Sequence, residues 1–309
     1  MRPLSIAVGS YGLTQHLLAH PTDAEGLQLA PVKVDPITKA MRAMVRNLEF
    51  DICEMAFTTY LCAKALGKPI TAIPVFLTRN FHHRALFVKA GRGMTAPKQL
   101  EGRRVAVNRG YTVTTGLWAR GALQHDYGVD LDTITWVPTD DEHVAEYVPP
   151  ANVDMSFAKK VDVAELLRSG DCDAAVGDLK TDDASVLPLI ADPRAAGVAF
   201  FKRTGIYPLN HAVVIKTSVL EAAPSIAREL IAAFAASKAA YLQRLDAGSA
   251  LTPQDDAALS LGKAVGGDPF PYGIAANRPA LEAIVQFCVE QHVIPRAYPI
   301  AELFAADIE

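Results

Sequence analysis

Little in this sequence points to export, to a membrane or to redox chemistry. No run of 18 apolar residues occurs, so no segment is expected to span a bilayer. The opening MRPLSIAVGS passes from Met1 into a strand at residues 4–8 without an apolar h-region or an A-x-A cleavage site, and a cytoplasmic location is expected. The four cysteines (Cys53, Cys62, Cys172 and Cys288) are scattered and form no C-x-x-C, which favours reduced, buried thiols over a disulfide framework. Neither H-x-H nor H-E-x-x-H is present, so no metal is expected. A net charge of −4 gives no global attraction for nucleic acid or an anionic membrane, and an anionic ligand must be caught by a local cluster. Internal repeats and low-complexity segments are lacking as well.

What is present is hydrophobic, periodic and long. Half of the 309 residues are apolar, enough for two cores rather than one. The chain alternates strand and helix. A strand at 4–8 ends at Gly9-Ser10-Tyr11, and an edge strand is expected within 27–34. Asp35-Pro36 reads as an N-cap followed by a proline at the first helical position. The apolar residues Ile37, Ala40, Met41, Met44, Val45 and Leu48 then recur at the helical period. FDICEM is a buried strand carrying Glu54, and a helix closed by Gly67 follows it.

IPVFLTRNFHHRALFV, residues 73–88, is a strand end, a polar turn and a second apolar run. It places Arg79, His82, His83 and Arg84 within six residues. In open α/β sheets ligands bind outside the carboxyl ends of strands, so this turn is a candidate site. Its bland alternative is a solvated basic turn.

A Gly- and Pro-rich stretch near residue 90 marks the start of a second lobe. Strands at 104–107, 134–137 and 174–176 follow, with helices at 162–168 and near 183–190. The loop NRGYTVTT runs into a helix, so it can offer hydroxyls and backbone N–H groups to an anion. The chain returns through 199–202, a turn TGIYPLN and a strand at 211–216. Long helices at 224–245 and 279–293 complete it. Alternating βα units predict parallel sheets. Two groups of them predict lobes of residues 1–88 plus 206–309, and 89–205.

Four separated stretches, FDICEMAFTTYL, IPVFLTRNFHHRALFV, WARGALQHDYGV and FFKRTGIYPLNHAVVIK, resemble in order the 4,5-dihydroxyphthalate decarboxylase family, over roughly residues 4–245. The resemblance implies an α/β, two-lobed fold of the type II periplasmic-binding-protein kind. Its lobes are joined by two crossing strands, near 85–89 and 211–216, around a central cleft. It also implies cofactor-independent decarboxylation of a hydroxylated aromatic carboxylate, 4,5-dihydroxyphthalate-like, to a hydroxybenzoate such as protocatechuate plus CO2. Two segments depart from the family pattern and leave the substrate open. Asn108-Arg109-Gly110-Tyr111 stands where a Pro-Glu-Tyr-like segment is common, and His82-His83-Arg84 where Arg-His-Ser is common.

Such a reaction needs a proton for the ring carbon, a phenol that gives up or shares its proton, and a grip on the carboxylates. Imidazole suits proton transfer near neutrality, and arginine offers a planar carboxylate two parallel donors. His83 and His211 are therefore the candidate acids, with His83 favoured for its strand-end turn. Glu54 would hold a phenol or orient a histidine. Arg79, Ser10, Tyr111, Thr112, Thr114 and Thr115 would bind substrate. Arg120, inside the helix beside Trp118, reads equally well as structural, and His211 has the alternative of a hydrogen-bonded core residue. Asp178 is a weaker candidate. The partner expected is a small aromatic carboxylate, with neither nucleic acid nor membrane, and a homo-oligomer is left open. Two other classes remain: a solute-binding protein for an aromatic or small carboxylate, and another enzyme on the same scaffold, such as a dehydratase-type or cyclising enzyme.

Overall fold

A computed structural model describes residues 3–21, 27–179, 181–248, 251–306 and 308. From the N-terminus, β1 (Leu4–Ala7), α1 (Gly12–Ala19), β2 (Leu29–Pro31), α2 (Ile37–Asn47), β3 (Ile52–Ala56), α3 (Phe57–Ala65) and β4 (Ile70–Arg79) succeed one another. A 3-10 turn at His82–Ala85 leads to β5 (Leu86–Lys89), β6 (Arg104–Val107), α4 (Thr114–Tyr127), β7 (Thr135–Pro138) and α5 (Val163–Ser169). Then come β8 (Ala174–Val176), β9 (Val186–Pro188), α6 (Pro193–Thr204), β10 (Leu209–Lys216) and α7 (Thr217–Ala222). The last helices are α8 (Ile226–Asp246), α9 (Pro253–Val265) and α10 (Arg278–Glu290).

The chain divides into two compact units. One comprises Met1–Arg79, Leu209–Leu281 and Tyr298–Glu309, the other Asn80–Pro208 and Glu282–Ala297. Residues 282–297, expected with the N-terminal residues, fall in the second unit. The reason is packing: Phe287 lies 5.5 Å edge-on from Trp118 and stacks at 4.5 Å on His125, while Gln291 accepts from Arg120.

Each unit has its own five-stranded sheet, in the orders β2-β1-β3-β10-β4 and β7-β6-β8-β5-β9. The two share one plan. Three neighbouring strands run parallel, and the fourth strand, β10 or β5, runs antiparallel to both of its neighbours. Both sheets are covered on their faces, so their strands read as near-continuous apolar runs rather than alternating ones. In the first unit Ile6, Ile52, Val75, Val213 and Ile215 are buried against Leu230 and Phe234 of α8. In the second, Val105, Val107, Val176 and Trp136 form the corresponding centre. Each fully buried side chain of this kind contributes about 1.5–3 kcal/mol. The four cysteines are buried, and among the described residues no helix is long and apolar enough to cross a membrane.

Three local expectations are corrected. Residues 183–190 are not a helix but hold the short strand β9, and the helix lies further on, at Pro193–Thr204. Its signals are ordinary: Asp192 accepts from the N–H of Ala195, Pro193 stands at the first position, and Gly205 caps the end at φ 71°. Residues 199–202 are therefore helical. At α2 the N-cap position falls on Pro36, with no side-chain cap, so Asp35 does not cap that helix.

Candidate active site

In the first unit, parallel strands β1 and β3 lie side by side, with Ile6 opposite Ile52 and Ala7 opposite Cys53. Glu54 follows Cys53 and is fully buried. An ionised carboxylate removed from water requires donors, and Glu54 has three. Its Oε2 accepts from the Gly9 N–H at 2.8 Å, and its Oε1 accepts from the Tyr11 hydroxyl at 2.9 Å and from His211 Nδ1 at 2.5 Å. Gly9 makes this possible, because a Cβ there would come within 2.4 Å of Tyr11 Cζ and push the ring away. Burial, then the adjacent Glu54 carboxylate, raise the Tyr11 phenol well above its usual range, so it remains a donor.

His211 reaches Glu54 from the antiparallel partner. On β10, His211 pairs with Ala56 and Val213 with Glu54, so the imidazole and the carboxylate are diagonal neighbours on one face. The pairing of β10 with β4 is irregular around His211, with register shifts on both sides of it. β4 is the edge strand of the sheet order and carries Pro74, which an edge tolerates. Bulged pairing of this kind re-aims a side chain and is frequent beside active sites. Because a carboxylate only accepts, Nδ1 of His211 carries a proton and Nε2 is the nitrogen left to work. The side chain is one-fifth exposed, so it can meet a ligand.

Beside this group lies a cavity of about 590 Å³ at the carboxyl ends of β1 and β2. Its wall includes Gly9, Ser10 and Tyr11, the segment that holds Glu54. Ser10 is exposed there.

Arg79, also in this unit, is differently employed. It is 6 % exposed, lies 5.4 Å from the Phe76 ring centre, and donates through Nη2 to the side-chain oxygen of Asn277 and to the Pro271 carbonyl. One end of the guanidinium is thus tied to the protein itself.

The remaining sequence candidates belong to the second unit. The turn His82–Ala85 buries both imidazoles, each 3 % exposed, while Arg84 stays exposed. His83 Nε2 is 2.9 Å from Asp126 Oδ2, and Asp126 also pairs with Arg203. Burial lowers the His83 pKa, and the Asp126 hydrogen bond opposes this only in part. Phe200 lies 5.5 Å from its ring and Tyr127 6.3 Å.

Tyr111, Thr112, Thr114 and Thr115 are all buried at the start of α4. A carboxylate does sit on this loop, and it is the protein's own. Glu142 accepts from the N–H of Tyr111 and from both the N–H and the hydroxyl of Thr112. Burial raises the Glu142 pKa, opposed first by Thr112. Thr115 donates to Asp178 at 3.4 Å, and Asp178 also meets Arg84. Arg120 is structural. It is fully buried, lies 4.0 Å from the Tyr111 ring centre, and donates to Gln291 and to the Tyr111 carbonyl.

Sequence reasoning missed two of these groups. Tyr11 was visible only as the end of a strand, and nothing in GSYG says that its ring folds back on Gly9. Glu142 had a signal in the acidic run Thr139-Asp140-Asp141-Glu142, which follows the strand adjacent to β6.

A carboxylate, an imidazole and a phenol are thus gathered beside a cavity, an arrangement suited to acid–base chemistry, on a binding-protein-like α/β scaffold. Solved structures share that scaffold at low identity. The desulfurization enzyme DSZB matches with a TM-score of 0.58 at 16 % identity, covering 99 % of this chain and 97 % of that one. The periplasmic aliphatic sulphonate binding protein SsuA from Escherichia coli gives 0.56 at 13 % identity, covering 98 % and 92 %. By sequence, the 4,5-dihydroxyphthalate decarboxylase of Comamonas testosteroni is 29 % identical over 97 % of this chain and 96 % of its own. The enzyme of that name from Pseudomonas putida is 31 % identical over 56 % and 69 %. The description NMT1/THI5 like matches residues 23–187. The chain belongs to the NMT1/THI5 like family and to the 4,5-dihydroxyphthalate decarboxylase family of carboxy-lyases.

Proposed function

We propose that this protein decarboxylates a hydroxylated benzene-carboxylate of the 4,5-dihydroxyphthalate type without a cofactor, and that His211 supplies the proton. The observation that carries the reading is the 2.5 Å contact between His211 Nδ1 and the buried Glu54 carboxylate. It holds the imidazole in one orientation with Nε2 available to deliver a proton.

The chemistry then balances. A phenol para to the departing carboxylate pushes electron density into the ring, and the ring carbon bearing that carboxylate takes the proton from His211 Nε2. The carbon–carboxylate bond breaks, its electron pair returns to the ring and CO2 leaves. Imidazole is then reprotonated from solvent. Glu54 holds Nδ1 throughout, and Tyr11 with the Gly9 N–H keeps Glu54 in place. His83 is less suited to this role, because burial favours its neutral form. We place the reaction in the cytoplasm, in the breakdown of aromatic acids. Support for the substrate is the decarboxylase name carried by the two relatives.

His211→Asn tests it. Removing a positioned general acid costs about 10²–10⁴-fold in rate. The loss is expected in kcat rather than KM, since proton transfer belongs to the transition state. In D2O the wild type should place deuterium at the ring carbon vacated by CO2. Normal turnover by His211→Asn would remove His211 from the role and leave His83 or a carboxyl group as the acid.

A further inference from the structure

The cavity beside the acid–base group contains more than the reaction uses. It lies wholly within the first unit, and its walls are largely apolar: Val8, Leu18, Val32, Val34 and Ile37 among them. Ligand pockets of about 300–1,000 Å³ combine such walls with a few polar groups that fix orientation, and about 590 Å³ falls inside that range. Among the described residues on this wall the one cation is Lys33, and Ser10 and Asp35 supply the other side-chain polar atoms beside the Tyr11 phenol. The Tyr11 hydroxyl is already committed to Glu54. A flat hydrophobic ring carrying an anionic group therefore meets matching chemistry here.

We infer that Lys33 is the specificity-determining residue for substrate charge. In this arrangement the cavity takes the aromatic ring, and the Lys33 ammonium takes the carboxylate that the reaction leaves in place. Ser10 offers the same group a hydroxyl. The site thereby selects an aromatic dicarboxylate over a monocarboxylate, because only the former keeps an anion for Lys33 while the other carboxylate departs. The inference rests on the decarboxylase reading for which carboxylate is lost, but binding can be measured without turnover.

The test uses the full-length protein and two unreactive probes, phthalate and benzoate, titrated by calorimetry. The wild type should bind phthalate more tightly than benzoate. Lys33→Met should weaken phthalate about 10–100-fold, the loss expected for one charged hydrogen bond, and should leave benzoate little changed. Lys33→Arg should recover most of the affinity. Lys33 is exposed, so the substitution does not disturb a core. With 4,5-dihydroxyphthalate as substrate, the Lys33→Met loss should fall on KM. Phthalate binding that is equal in wild type and Lys33→Met, or a Lys33→Met loss shared equally by benzoate, overturns the inference and leaves the His211 reading standing. Lys33-dependent phthalate binding with no CO2 release from any hydroxylated phthalate supports the binding site and removes the decarboxylase reading instead.

Discussion

Glu54→Gln is the sharpest perturbation of the proposed site, because the substitution changes charge without changing size. The carboxylate accepts three hydrogen bonds through two oxygens, from Gly9, Tyr11 and His211. An amide has one acceptor atom and one donor atom. If its oxygen faces Tyr11 and His211, its NH2 opposes the Gly9 N–H. If it is turned over, the NH2 faces Tyr11 and His211, and Nδ1 must give up its proton. Either way at least one hydrogen bond to a charged group is lost, a cost of about 1.5–3 kcal/mol in stability. In the second orientation the proton of a neutral His211 sits on Nε2 instead of Nδ1, and in either orientation residue 54 no longer brings a negative charge to the imidazole. The expected fall in kcat is about 10²–10⁴-fold, with KM little changed. CO2 release from 4,5-dihydroxyphthalate and urea denaturation report the two effects separately. The two residues should also act as a unit: in a His211→Asn background, Glu54→Gln should remove little further kcat. Additive losses in that double-mutant cycle, or a single variant with wild-type kcat, would refute the coupling of carboxylate to imidazole.

Two further outcomes follow from the groups around this site and in the second unit. The folded-state pKa of His83 is depressed, so its contribution to stability is present above the ordinary value of 6.5 and is lost as pH falls through the lower folded value. Urea midpoints should therefore drop on acidification below about pH 6.5 in the wild type. They should drop less in His83→Gln, and an unaltered slope would show that His83 titrates freely. Arg79→Ala should reduce stability by about 1–3 kcal/mol, because the side-chain oxygen of Asn277 loses its donor in a buried setting. If that variant is as stable as wild type yet raises KM for the substrate, Arg79 grips the carboxylate after all.

Much of the fold was legible because both sheets are covered on two faces. Strands such as 104–107 and 174–176 stand out as short apolar runs between turns, and the structure returns them at those bounds. The misread segment, 183–204, shows where this signal fails. β9 is a three-residue edge strand, half exposed, with too few residues to show any period. The helix after it has a weakly apolar face, so its caps at Asp192, Pro193 and Gly205 were the only reliable markers. Periodicity speaks loudly for buried elements and softly for edges.

The candidate site was legible in its residue types and less so in its pairings. Glu54 and His211 stand 157 positions apart in sequence, and only the antiparallel insertion of β10 between β3 and β4 makes them neighbours. A strand that returns from a distant part of the chain leaves no local trace of what it will face. His83 misleads for the converse reason. It sits in a run of polar residues that looks solvated, yet the 3-10 turn buries it against Phe200 and Asp126. The threonine loop misleads in a third way. Its hydroxyls and N–H groups suit a carboxylate, but Glu142, 30 residues further along the chain from Thr112, already supplies one. Donors built to hold an anion do not say whether that anion is a ligand or part of the protein. What separates the two cases here is burial. The acceptor on the threonine loop is enclosed by its own unit, whereas the Glu54 group adjoins a cavity and a histidine that is still partly exposed.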